Sequence, residues 1–292
     1  MENTTLITDN LPKRFWYTLL RVVTHIFVVF ALTIITQIGG IVYLLCFPLF
    51  NFIHKKIQHR ALQVLTKSTS FILLYLFATF IIVPPLAKVF GRIPLPTPVA
   101  ASATLKPATA LTYLCNRHYV TPALNNILLI NSQSISTKSG AVTYYLDANF
   151  PFINGFPLLP HLSHNNGKKV DIAFYYKKAN GGQQHGSPSP IGYGVGKPAL
   201  SSEVNQADIC SKKGYWQYSV IQKLMGHFRK DNYAFDEATT KLLLAQILKD
   251  KEVEKVFIEP HLANRLGLKN SKLKFQGCHS IRHDDHIHLQ LK

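Results

Sequence analysis

His283-Asp284-Asp285-His286-Ile287-His288-Leu289-Gln290-Leu291 is the stretch on which the reading of this chain turns. From Asp285 onward polar and apolar residues alternate, the period of a β-strand with one buried face. Ile287, Leu289 and Leu291 fall on the core side, and His286, His288 and Gln290 on the other. Two imidazoles two residues apart on a rigid strand are well placed to hold a metal or catalytic constellation.

A second set lies upstream, in His164-Asn165-Asn166-Gly167-Lys168-Lys169-Val170-Asp171. Gly167 permits a tight turn, after which Asp171 sits in an apolar run, Val170 to Tyr176, that reads as a strand. A carboxylate buried there is costly without a partner, and a metal ion is such a partner. His164, Asp171 and one histidine of the C-terminal pair make an N/N/O set that leaves a fourth tetrahedral position for water. Zinc in such a set lowers the pKa of bound water to ~7 and polarises a carbonyl. Taken singly, His-x6-Asp and His-x-His are equally explained by surface or hydrogen-bonded histidines; their joint occurrence carries the reading. An iron facial triad on His283 and Asp285 would need a distant downstream histidine, and only seven residues follow Asp285. A His-Asp phosphohydrolase would need later acidic ligands, and none follow.

His164-x6-Asp171 followed by His283-Asp-Asp-His286-Ile-His288 resembles the penicillin-insensitive murein endopeptidases, in a group of zinc peptidases that includes D-alanyl-D-alanine peptidases and hedgehog signalling domains. The segment Val253 to Leu266 is also similar to the one that precedes the final motif in those enzymes. The resemblance covers about the last 130 residues. It implies that His164, Asp171 and His288 bind Zn2+. It further implies that His286 and His283 shape the site, one of them handling the proton, and that His161 lines the cleft. The function implied is a zinc metallopeptidase acting on peptidoglycan cross-links or stem peptides, which a two-span anchor in place of the family's usual secretion signal would make membrane-anchored. The alternative is a zinc-containing wall-binding module of the same fold without catalysis.

The rest of the chain supplies an anchor. Val22 to Phe50 contains no charged residue, and Ser68 to Ala87 is a second uncharged run; both exceed the ~18 residues that signal a bilayer-spanning helix. Residues 1–93 therefore read as a membrane anchor with helices at about 22–50 and 68–87. Lys55, Lys56, Arg60 and Lys67 in the intervening loop mark it as cytoplasmic by the positive-inside bias. A two-span count then puts both termini outside, with Lys13, Arg14 and Arg21 arguing the other way. The expected location is the inner membrane, with the C-terminal domain facing the periplasm or exterior. Prolines at 84, 85, 94, 96, 98 and 107 are expected to end the helix and make 94–107 a stiff linker to the domain, 108–292.

Within the domain, β-type runs at Ile127–Ile130, Val142–Leu146, Val170–Tyr176, Val256–Glu259 and His286–Leu291 alternate irregularly with helical stretches at Tyr215–Phe228 and Asp236–Leu248. The expected class is α+β, a mostly antiparallel sheet with flanking helices, preceded by two transmembrane helices. Gly181 to Gly196, with six glycines, reads as a flexible surface loop. The net charge of +17 is scattered, without the aromatic-interleaved stripe of a nucleic-acid binder, so no nucleic-acid partner is expected. Two of Cys115, Cys210 and Cys278 are able to pair in an oxidising compartment.

Overall fold

The computed structural model describes residues 10–98, 104–178, 180–228, 230 and 233–292. The chain divides into two compact units between Ile82 and Val83.

The first unit is helical: α1 (Asn10–Thr36), α2 (Gly39–Leu45), α3 (Phe47–Lys56) and α4 (Arg60–Phe77), the last running into a π-helical turn at Ala78–Ile82. The block 22–50, expected as one span, is instead the core of a helical hairpin. Gln37 takes φ 67, and the Gly39 amide donates to Thr36 Oγ1 at 2.8 Å. A Cβ on Gly40 would lie 2.6 Å from the Val29 carbonyl, so only glycine lets the returning arm come this close. Further along, His25 Nδ1 meets the Tyr43 hydroxyl at 2.8 Å and its ring packs on Phe47. α2 and α3 therefore run back along α1. α4 then turns against α3, with His54 Nδ1 3.1 Å from Gln63 Oε1 and the Tyr43 ring 5.9 Å from Phe71. Among the described residues two helices, Arg14–Thr36 and Arg60–Val89, are long and apolar enough to cross a membrane. Their apolar side chains, such as Phe27, Phe30, Leu73 and Phe77, are largely exposed within the chain.

The second unit begins with α5 (Val83–Val89), so Pro84 and Pro85 do not end the helix as expected. They sit in its first turn, where a missing N–H costs little, just after the wider π-turn. There follow β1 (Ile93–Pro94), β2 (Leu105–Pro107), α6 (Ala110–Leu114), β3 (Tyr119–Val120), α7 (Pro122–Ser139), β4 (Thr143–Tyr145), β5 (Lys169–Ala173), β6 (Tyr176–Lys177) and β7 (Gln183–Gln184). The remainder is α8 (Gln206–Lys212), α9 (Val220–Met225), β8 (Ala234–Phe235), α10 (Glu237–Ile247), β9 (Val253–Phe257), α11 (Pro260–Arg265), β10 (Leu273–Lys274) and β11 (His286–Leu291). Of the expected linker 94–107, Pro94 pairs with β3, Leu95 is buried in the core and Leu105–Pro107 form a strand; residues 99–103 lie outside the described residues.

Six strands form the main sheet in the order β10-β9-β11-β5-β4-β2. It is mixed, which corrects the expectation of a mostly antiparallel sheet. The three central pairings are antiparallel, but β10 runs parallel to β9 and β2 parallel to β4. Parallel neighbours need a crossover, and each pair has a helix between its strands, α11 in one case and α7 in the other. α7 is also where the sequence reading goes astray, because Ile127–Ile130 lies in this helix and not in a strand. Its end signals are clear in retrospect: Thr121 caps the Leu124 amide, Pro122 opens the first turn, and Gly140 closes it at φ 69. The stretch Tyr215–Phe228, expected as one helix, is broken into 3-10 turns on either side of α9. α10 matches its expectation, with Asp236 accepting from the Thr239 amide at its N-terminus.

Leu124, Ile127, Leu128 and Ile135 of α7 and Leu243, Leu244 and Ile247 of α10 pack in one core with Val170, Ile172, Val256, Ile287 and Leu289 of the sheet. Each such side chain, fully buried, contributes ~1.5–3 kcal/mol. By alternation the opposite face of β5 and β11 carries Asp171, His286 and His288.

Candidate metal centre

β5 and β11 are neighbours at the middle of the sheet, paired so that His288 faces Asp171 and His286 faces Ala173. The two sequence motifs, more than a hundred residues apart, thus meet on one face. Gly167 at φ 79 makes the expected turn into β5. Just before it, the His164 amide donates to the His161 carbonyl at 2.9 Å, a tight turn that brings both imidazoles over the strand.

Three donor atoms converge. His288 Nδ1 is 2.9 Å from Asp171 Oδ1 and 3.0 Å from His164 Nε2. His164 Nε2 is 3.2 Å from Asp171 Oδ1. For zinc bonds of ~2.0–2.1 Å, tetrahedral corners lie ~3.3–3.4 Å apart, so this triangle has nearly the required size. His164 Nδ1 lies 2.7 Å from the Ala148 carbonyl, and donating there leaves Nε2 as the lone-pair nitrogen. His161, His164 and Asp171 also form a buried group able to hold a metal ion. His161 Nδ1, however, stands 3.2 Å from both Asp147 Oδ2 and Asp171 Oδ2, bridging two carboxylates. His164 and Asp171 are common to both groups, and the tighter triangle is the one closed by His288.

The residues around these atoms set their charge. Burial alone would raise the Asp171 carboxyl, but His164, His286 and His161 hold it well below the usual carboxylate range. Burial pushes His288 down to about 4 against the pull of Asp171, and pushes His283 well below the ordinary imidazole value. Neutral imidazole is the form that binds a metal. His286 differs. Burial opposes its charged form, yet Asp171 and Asp285 together raise it to about 9. Its Nδ1 lies 2.5 Å from Asp285 Oδ1, while Nε2 stands 3.7 Å from Asp171 Oδ2.

All six candidates, His161, His164, Asp171, His283, His286 and His288, line one cleft of about 390 Å³. Leu162 and Ser163 form part of its wall, as do Gln217, Gln276, His279, Ser280 and Ile281. The segment carrying the last four is tied to α8 by a Cys210–Cys278 disulfide, which resolves the cysteine pairing and leaves Cys115 and Cys46 free. Glu259 braces the approach to β11, accepting from the Tyr218 hydroxyl at 2.5 Å and from the His283 amide at 3.2 Å.

Sequence reasoning missed Tyr193. The stretch Gly181–Gly196, expected as a flexible surface loop, is buried over 187–189 and 192–195. Tyr193 donates to Asp171 Oδ2 at 2.9 Å and accepts from the Asp147 amide at 3.0 Å. Its ring packs against His161 and His286 at 4.5 and 5.0 Å. Burial and the nearby charges of Asp147 and Asp171 keep the phenol protonated. Gly194, at φ 89, donates its amide to Asp285 Oδ2. An aromatic between two glycines, Gly192-Tyr193-Gly194, was the available signal. Asp147 was missed too; it follows β4 and joins Arg117 at 2.9 Å to His161. Comparison with protein-family models and with curated proteins finds no match to the chain.

Proposed function

We propose that this chain is a membrane-anchored zinc metallopeptidase that hydrolyses amide bonds of peptidoglycan cross-links or stem peptides. The observation that carries the reading is the triangle of His164 Nε2, Asp171 Oδ1 and His288 Nδ1, 2.9–3.2 Å on a side, at the floor of an open cleft. The residues present fit zinc: two imidazoles and one carboxylate, buried and braced from behind by Ala148 and Tyr193. Zinc held there supplies a Lewis acid and a water ionised near neutral pH.

The chain's own residues do the rest. Asp285 holds His286 with Nε2 turned toward the donor set, and the imidazole, raised to about 9 and so charged near neutral pH, is placed there to give its proton to the leaving amine. His283, neutral and with its ring 4.9 Å from that of His286, packs behind it. Tyr193 fixes the carboxylate of Asp171 by its hydrogen bond. The Gln217 and Gln276 amides in the cleft wall suit hydrogen bonding to an extended peptide. The peptidoglycan substrate is supported by the motif resemblance and the chain's basic charge, and metal-assisted hydrolysis by the geometry.

The location follows the same way. In the helical hairpin α1 and α3 run antiparallel, so Arg14 and Arg21 lie toward the same end as Lys55, Lys56 and Arg60. With α2 and α3 counted as a crossing, the N-terminus lies in the cytoplasm and the chain leaves α4 on the far side. That removes the conflict left by a two-span count. The Cys210–Cys278 disulfide suits an oxidising compartment such as the periplasm.

The test is metal analysis joined to turnover. Full-length protein grown with zinc is expected to hold one zinc per chain and to cleave a cross-linked muropeptide dimer. Dialysis against a chelator is expected to stop the cleavage and zinc to restore it. Wall binding without turnover by zinc-loaded protein would leave only the binding-module alternative, and a folded protein that takes up no metal would refute the reading.

A further inference from the structure

We propose that the helical unit binds one anionic phospholipid, its phosphodiester held between Arg21 and Lys67. A cavity of about 550 Å³ opens among α1, α2, α3 and α4. One end of it is polar, with Arg21, His25, Asn51, His54, Lys67 and Ser68. From that end two apolar tracks lead away, Val28 and Leu32 on α1 and Phe71 and Ile72 on α4. The inference rests on this unit lying in a bilayer and is independent of the chemistry of the second unit.

Charge decides what fills the polar end. Not one Asp or Glu occurs between residues 10 and 98, so among the described residues of their own unit the two fixed cations have no carboxylate to pair with. One lysine or arginine near a helix end is accounted for by reaching toward the interface. Two cations from different helices that line the same cavity, beside two imidazoles and an amide, repel one another unless an anion lies between them. Basic pockets between membrane helices on the cytoplasmic side take anionic headgroups in this way. The double apolar track suits a two-chain lipid, with Asn51 and Ser68 able to hydrogen-bond phosphate or glycerol oxygens.

The experiment uses the full chain in mild detergent, with phosphatidylglycerol or phosphatidylcholine added at equal concentration and bound lipid read by native mass spectrometry. One phosphatidylglycerol per chain is expected, held at least ~10-fold more tightly than phosphatidylcholine. Arg21→Gln with Lys67→Gln is expected to weaken it roughly 30-fold, and Lys67→Gln alone roughly fivefold, which reads the effect even where the double variant fails to fold. Lys55→Gln with Lys56→Gln removes the same charge outside the cavity and is expected to change nothing. Equal binding of the two lipids, equal weakening in the two double variants, or a co-purifying polyisoprenyl phosphate in place of a phospholipid would overturn the proposal.

Discussion

His288 faces Asp171 across the junction of the two central strands, with Nδ1 2.9 Å from Oδ1, and His164 closes the triangle from the turn before β5. A register slip of one residue between β5 and β11 would put Ile287 opposite Asp171 and turn the imidazoles to the other face. The apolar alternation that fixes the core thus also fixes the donor set.

The ligand set is open to direct test. His164→Ala, Asp171→Ala and His288→Ala are each expected to reduce zinc from one per chain to background and to abolish hydrolysis. His161→Ala is expected to keep its zinc, because His161 bridges Asp147 and Asp171 and the tighter triangle is closed without it. Elemental analysis of the four purified variants separates the two donor groups; zinc lost from His161→Ala and kept in His288→Ala would reverse the assignment.

Tyr193→Phe removes one hydroxyl and leaves the ring packed on His161 and His286. The hydrogen bond to Asp171 is lost, and supporting contacts of this kind are worth ~10–100-fold in metal affinity or activity. A fall of that size in zinc affinity, with an unchanged melting curve for the zinc-loaded protein, is the expected result of competition with a chromogenic chelator.

How far the sequence foretold this site depends on the distance over which each feature is encoded. The strand β11 and the turn at Gly167 are local, written in alternation and in one glycine; His164, Asp171, His286 and His288, read from them, line one cleft together with His161 and His283, which the resemblance added. α7 was misread because Ile127–Ile130 is an apolar run too short for its period to tell strand from helix, while its caps at Thr121 and Gly140 lie well outside that window. Reading that run as a strand hides one of the two parallel pairings, since α7 lies in the crossover between β2 and β4. Tyr193 was hidden for another reason: its glycine-rich segment is held down by long-range contacts with Asp147, Asp171 and Asp285 that leave no local pattern.

The disulfide supports the cleft wall. Cys210 and Cys278 are 68 residues apart, and closing a loop of that size stabilises by ~4 kcal/mol in the chain-entropy account. Cys210→Ser with Cys278→Ser is expected to lower the melting temperature and to raise KM more than it lowers kcat. Gln276 and His279 flank Cys278, whereas the donor atoms stand on the sheet and its preceding turn. Steady-state kinetics with a muropeptide dimer, with and without reductant, checks this.

His118 gives the domain an acid-sensitive element away from the cleft. Burial lowers its pKa to about 3 from an ordinary 6.5. The folded state therefore stays unprotonated at this ring while the unfolded chain takes up a proton, so stability is full above about pH 6.5 and falls as pH drops toward 3. His118→Gln is expected to flatten part of that acid limb, as measured by urea midpoints between these pH values.

The central claim is that the cleft cleaves amide bonds with a metal. Incubating the full-length protein with purified cross-linked peptidoglycan, with and without a strong chelator, and weighing the released muropeptides by mass spectrometry tests it most directly. The account expects cross-linked species to fall and the corresponding monomers to rise, with no change when chelator is present. An unaltered profile from folded, zinc-loaded protein would contradict it.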